Sequence, residues 1–162
     1  MQSRRFTILK VMFLLTSFFL TLFTVYSANV YIRVYESIRN FDVSTPELKV
    51  MVSNASYAST ETTMTLFNPS RSKIGLVQVI EGIHLNNEFI TIGSLYMLPG
   101  RPVEIHPMSN ITITIKADIP PYRIHYVTSQ TEKTWFIDVR VSLSGEIVGT
   151  FPWRGSWFIT DV

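Results

Sequence analysis

Four side chains come closest to a chemical motif in this sequence. His106-Pro107-Met108 forms a His-x-Met pair, and His84 and Met97 lie upstream of it. Imidazole and thioether together suit Cu(I). The bland alternative places Met97 in core or loop packing and His84 and His106 on the surface, and no metal is favoured. No other site presents itself. There is no P-loop, no HExxH, no GxSxG and no glycine-rich dinucleotide fingerprint. The acids fall mostly at outward strand positions, and no carboxylate pair stands out for acid–base work. Cysteine is absent, which excludes disulfides, thiolate metal sites and a cysteine nucleophile. The expectation is a protein that is not an enzyme and carries no cofactor.

Two tripeptides fit the N-glycosylation pattern, at Asn54 and Asn110, whereas Asn68-Pro69-Ser70 is barred by its proline. Near the C-terminus, "FPWRGSWFITDV" groups Phe151, Trp153, Trp157 and Phe158 around Arg154. Trp157 is expected in the core. Trp153, taken as a turn residue, and Arg154 are candidate interface residues, because aromatics and arginine concentrate binding energy. The alternative is that Arg154 simply stacks on a neighbouring ring.

The elements that must carry these residues begin with an apolar N-terminus. The chain has 162 residues, of which 46% are hydrophobic and only 16% charged; about a quarter charged is usual for a soluble domain. From Val11 to Ile32 no residue is charged, and about 22 residues at 1.5 Å each give a helix of about 33 Å, enough to cross a bilayer. Arg4, Arg5 and Lys10 precede this run, and Tyr26, Tyr31 and Tyr35 lie at its far end, where amphipathic rings favour the interface. The pattern predicts a cytoplasmic tail over 1–10, a transmembrane helix over 11–32, a juxtamembrane linker over 33–45 and an extracytoplasmic domain over 46–162. Arg33 and Arg39 on the far side weaken the charge bias. A cleaved secretory signal, cut after Ser27, exports the same domain. A pilin-like subunit also pairs an apolar helix with a β-head, although Lys10 sits awkwardly in such a helix. Removing the three leading cations from 14 leaves 11 basic residues against 12 acidic ones. The exported part is therefore not basic, and a nucleic-acid partner is not expected.

Within the span, Ser17, Thr21, Thr24 and Ala28 fall on one stripe. Small residues there permit close approach of a second helix, and hydroxyls can bond across the contact. Alternatively, the hydroxyls return to their own backbone. The expected partners are the lipid bilayer and other transmembrane subunits or a second copy.

After Pro46 the periodicity becomes two. Leu48, Val50 and Val52 alternate with Glu47, Lys49 and Met51, and Thr62, Met64 and Leu66 alternate in the next strand. Ile111, Ile113 and Ile115 share one face, with Thr112, Thr114 and Lys116 on the other. Trp135, Ile137, Val139, Val141 and Leu143 point inward. Ile74–Ile83 is more continuously apolar, as in a central strand. Strands are also predicted over 89–96, 146–151 and 156–160. Turns are marked by Leu85-Asn86-Asn87-Glu88, Pro99-Gly100 and Ser144-Gly145. The segment 120–133 lacks clean alternation and predicts a short helix or a long loop. The fold class is mainly β, an antiparallel sandwich with one short helix, behind an N-terminal span.

Asn68-Pro69 ends one strand cleanly, since proline lacks an N–H and asparagine can bond nearby backbone. An alternating strand ending in Asn-Pro, then a polar break, an apolar strand and the turn "HLNNEFITIG" resembles the water-stress and hypersensitive-response (WHy) domain of folded, LEA-14-like late-embryogenesis-abundant proteins. The resemblance covers roughly 47–161, with Asn68, Pro69, Gly93 and the strand order as its main carriers. It implies a fibronectin-like β-sandwich with a helix, no catalytic centre, and a protective or binding role. The N-terminal span departs from a soluble stress protein. A tethered sandwich fits an accessory or structural subunit of a membrane or cell-envelope assembly, and the alternative is a secreted or anchored binding module.

Overall fold

A computed structural model describes residues 2–98, 101–145 and 150–160. Helix α1 runs from Gln2 to Arg39. Its stretch Leu9–Arg39 is long and apolar enough to cross a membrane, and the most apolar part buries nothing against the rest of the chain. Such a helix is compatible with an anchor or a signal sequence. The last turns behave differently. Val34 and Ser37 are buried and Ile38 is packed on the core, the i, i+3, i+4 spacing of a single helical face, and Phe41, just past the helix, is buried as well. The segment 33–45 is thus helix through Arg39, a turn at Asn40, and the two-residue strand β1, Asp42–Val43.

The remaining strands are β2 (Glu47–Asn54), β3 (Tyr57–Asn68), β4 (Ile74–Leu85), β5 (Glu88–Tyr96), β6 (Val103–Ile105), β7 (Ser109–Ile119), β8 (Thr134–Ser144) and β9 (Thr150–Thr160), with helix α2 (Pro121–Ser129) between β7 and β8. All pairings are antiparallel. In one sheet β3 is central, flanked by β7 on one side and by β1 and β2 in line on the other. In the other, β4 pairs with β8 on one side and with β5 and β6 on the other, and β9 forms the edge beyond β8. The chain crosses between sheets at 69–73, at 106–108 and through α2. This is the antiparallel sandwich that the alternation predicts.

The inward rows of β3, β7 and β8 are those read from the sequence: Met64, Leu66, Ile113, Ile115, and Trp135 through Leu143 at every second position are buried. On the outer face of the first sheet, Thr63 bonds Thr114, Thr65 bonds Thr112, and Lys116 meets Glu61 at 2.9 Å. Ile124 and Val127 of α2 close the end of the core farthest from α1. The Pro99-Gly100 turn and the start of the strand predicted over 146–151 lie outside the described residues. The two C-terminal strands expected there are instead one, β9, continuous through Pro152 and Gly155. Pro152 is tolerated because an edge strand has one side with no ladder to break, and Trp153 accordingly lies in a strand and not at a turn.

Strand β4 changes face midway. Ile74 and Leu76 point inward, but so do Val79, Glu81, Ile83 and Leu85. The register against β8 slips between Leu76 and Gln78, and the carbonyl of the extra residue, Val77, accepts the N–H of Met97 at 3.0 Å. A bulge of this kind inverts the alternation of everything that follows it.

The β4–β5 hairpin turns on Asn86 and Asn87, with φ of 49° and 68°, the pair of left-handed residues that a two-residue hairpin of matching twist requires. Asn86 does more. Its amide nitrogen donates to the Glu132 carbonyl at 3.0 Å and to Gln130 at 3.3 Å, and its oxygen accepts the Thr134 N–H at 3.0 Å. Asn87→Gly should therefore hold or raise the melting temperature, since glycine relieves left-handed strain. Asn86→Gly keeps the turn but loses the tie to β8, and should cost about 1–3 kcal/mol in denaturant titration.

Candidate functional site at the helix-proximal end of the sandwich

Asn68 explains the Asn-Pro motif. The residue ends β3, is fully buried, and lies where the chain leaves one sheet for the other. Its amide nitrogen faces three carbonyl oxygens, Ser72 at 2.9 Å, Ile105 at 3.0 Å and His106 at 3.2 Å. Its oxygen accepts the Ser70 N–H at 3.1 Å and the Ser70 hydroxyl at 2.7 Å. The Met108 N–H donates to the Ser70 carbonyl. One side chain thus ties the β3–β4 crossing to the β6–β7 crossing. Pro69 then directs the loop outward beside α1.

Between that loop and the end of α1 lies a cleft of about 620 Å³, lined by Arg33 and Glu36 from the helix, by Asn40 in the turn after it, and by Pro69, Ser70, Arg71 and Ser72. Arg33 and Glu36 stand at i and i+3, so they share a face of the helix. Arg33, Glu36 and Arg71 are exposed, and none of the three makes an ion pair among the described residues. Met108 stands beside the same loop with φ 53° and is 66% exposed. A long side chain in the left-handed region is uncommon, and it persists only where the surroundings hold it.

The four weak copper candidates do not form one cluster. His106 and Met108 lie at the helix-proximal end. His84 lies about ten residues further along β4 from Ile74, which pairs Ile105, or about 33 Å away at strand rise. His84 instead makes edge contacts with Phe89 and Phe136, at 5.5 and 5.6 Å. Met97 packs against the core. No group of three or more metal-ligating His, Asp or Glu side chains occurs among the described residues.

Of the glycosylation candidates, Asn54 is exposed at the β2–β3 turn, its oxygen accepting the Ser56 N–H at 2.8 Å, while Asn110 is exposed within β7, paired with Phe67. Trp153 is half-buried, meeting Phe41 edge-on at 5.9 Å and stacking on Trp157 at 6.1 Å. Gly155 makes that stack possible, since a Cβ there would lie within 2.6 Å of both rings. Arg154 faces outward, opposite Arg140. In the apolar part of α1, the Thr21 hydroxyl donates to the Ser17 carbonyl and Thr24 to the Leu20 carbonyl, at 2.9 and 2.8 Å, and Ser17 and Ala28 lie about three turns apart on the same stripe.

Two features escape the sequence reading. The outer face of the second sheet carries a row of rings, Phe89, His84, Phe136 and Phe158, with Phe136 and Phe158 5.0 Å apart and Phe158 71% exposed. Their shared face could have been inferred only from the strand pairing. The other is Glu81. It is fully buried between the sheets, and among the described residues neither carboxylate oxygen nor the Thr62 hydroxyl has a hydrogen-bond partner. It fits because its neighbour across the ladder is Gly93, where a Cβ would lie 2.6 Å from Glu81 Oε1 and 2.8 Å from Ile115. Burial pushes its carboxyl up to about 7, with Thr62 exerting the opposing influence.

No family model matches the sequence, and no curated protein matches it. Solved structures do resemble the fold. AT1g01470 of Arabidopsis thaliana, solved in solution, has a TM-score of 0.53 at 14% identity, over 73% of this chain and 80% of that one. A Bordetella pertussis protein assigned as ApaA has 0.51 at 11%, over 74% and 94%. At2g46140.1, assigned as a late-embryogenesis-abundant protein, is more loosely similar, 0.39 at 15%, over 85% and 83%. At these identities the likeness is one of fold alone.

Two outcomes test these interactions. Asn68→Ala strands three carbonyls and should cost about 2–4 kcal/mol. Asn68→Asp should cost at least as much, because a carboxylate cannot donate to them. Glu81 makes stability depend on pH. Below the ordinary value of 4.5 the carboxyl is neutral in both states; between there and about 7 only the unfolded chain releases its proton. Stability should therefore fall by about 3 kcal/mol across that window and level off above it. Glu81→Gln should abolish that slope in chemical denaturation followed against pH.

Proposed function

We propose that this chain is a non-catalytic, single-span membrane protein, with its N-terminus cytoplasmic and its sandwich extracytoplasmic, acting as an accessory or structural subunit of a membrane or cell-envelope assembly. The observation that carries the reading is the continuity of α1. The uncharged run ends at Ile32, and only two residues later Val34 is buried against the sandwich. No slack linker intervenes, so a helix held in a bilayer would hold the domain at a set height and orientation. A signal sequence needs no such coupling. A positioning role also suits the lack of a nucleophile–base pair around Glu81, whose surroundings are Thr62, Gly93 and Ile115.

The partner would be engaged through the span and one sandwich face. The ring row on the second sheet is the better surface, since aromatic side chains dominate interface energetics, and Trp153 is largely occupied by Phe41 and Trp157. In the span, the threonine hydroxyls answer their own backbone, so packing there would rest on the small size of Ser17 and Ala28.

The absence of cysteine makes the topology directly testable. A single cysteine at exposed Ser129→Cys should react with a membrane-impermeant maleimide on intact cells, and one at Ser3→Cys only after permeabilisation. The reverse pattern overturns the orientation. Intact mass after mild extraction should retain Met1 together with stoichiometric partner chains. A mass beginning near Ala28 with no partner would mean a released binding module. Phe89→Ser with Phe158→Ser should reduce partner recovery at least about tenfold with little change in melting temperature.

A further inference from the structure

We propose that the cleft between the end of α1 and the β3–β4 loop is a headgroup site for an anionic, hydroxylated phospholipid. The inference rests on the anchored reading above and adds a ligand to it. Arg33 is the first charged residue after the uncharged run, so the cleft begins where the hydrocarbon would end. From Arg33 to Arg39 the helix rises about 9 Å, and the polar headgroup layer on each side of a bilayer is about 5–8 Å thick. The cleft therefore opens at headgroup depth.

Its chemistry matches that position. Arg33 and Arg71 approach from two different elements, and guanidinium forks suit phosphate oxygens. Neither is occupied by a carboxylate among the described residues. Arg39 lies in the last helical turn, where a cation complements the helix dipole; Arg33 lies beyond the reach of that explanation. With Glu36, the three charges sum to one positive, the complement of a single phosphodiester. Glu36, Asn40 and Ser70 offer acceptors and donors to headgroup hydroxyls. Met108, exposed and fixed in a left-handed conformation next to Ser70, supplies an apolar side chain for the glycerol–acyl boundary. The Asn68 network holds Arg71 and Met108 on the same rigid support, so the site is assembled before a lipid arrives.

The test uses the full chain in nanodiscs of phosphatidylcholine containing a minority of phosphatidylglycerol, followed by release into mild detergent and native mass spectrometry. The unmutated chain should retain one phosphatidylglycerol in preference to phosphatidylcholine. Arg33→Gln with Arg71→Gln should lower that occupancy at least about tenfold, with Arg→Lys at both positions losing less. Both arginines are exposed, so the melting temperature should not move. Absence of enrichment in the unmutated chain, or equal retention by the double variant, overturns the site. Displacement of the lipid by excess inorganic phosphate would assign the cleft to free phosphate and overturn it as well. A chain that fails to enter the disc defeats the anchored reading itself, whereas one that enters without enrichment defeats only the headgroup site.

Discussion

The helix-proximal end of the molecule depends on the amide of Asn68. A sandwich whose chain passes from sheet to sheet exposes backbone carbonyls at each crossing, and a buried carbonyl without a donor is costly. Here two crossings meet, and a single side chain supplies donors to both while accepting from Ser70. Proline at the next position prevents the strand from continuing past this junction. The loop that follows is short and doubly tied, and so lies beside α1 in one arrangement.

That local solution sets the geometry of everything at this end. Val34, Ser37 and Ile38 at the end of α1 turn toward the sandwich, and Phe41, just beyond the helix, meets Trp153 on the far edge strand. Helix and domain are therefore one packed body at their junction. On the proposed reading, the bilayer holds the first part of α1 and the core holds the last part. The aromatic row on the second sheet is then presented at a defined angle to the membrane, which is what an accessory subunit needs from its anchor. The span makes no comparable demand on specificity, since its threonines satisfy themselves.

The centre of the sandwich carries an opposing feature. Glu81 is a carboxyl among apolar side chains, tolerated because Gly93 leaves it room and because burial favours its neutral form. Apolar residues around an unanswered polar group lower stability relative to a fully apolar core. Nothing in the surrounding packing explains why this position holds a carboxyl.

The apolar helix, the strand pattern, the inward rows of β3, β7 and β8, and the Asn86-Asn87 turn are all legible in the amino-acid sequence. Each of these is written in local chemistry: hydrophobic spacing, a missing N–H, tolerance of positive φ. The sequence also marked Asn68-Pro69 as a strand end. It could not show that the Asn68 amide reaches Ile105 and His106, because those carbonyls are brought close only by the sheet crossings. The facing of Glu81 was lost for a related reason. Strict alternation from Ile74 and Leu76 puts position 81 outside, and the bulge at Val77 reverses it. A bulge in a continuously apolar strand leaves no mark in residue type, since it is selected by the register of β8 and by the N–H of Met97. The cleft of Arg33 and Arg71, and the distance between His84 and His106, likewise arise from packing. Charges far apart in the chain become neighbours, or fail to, only once the sheets have chosen their pairing.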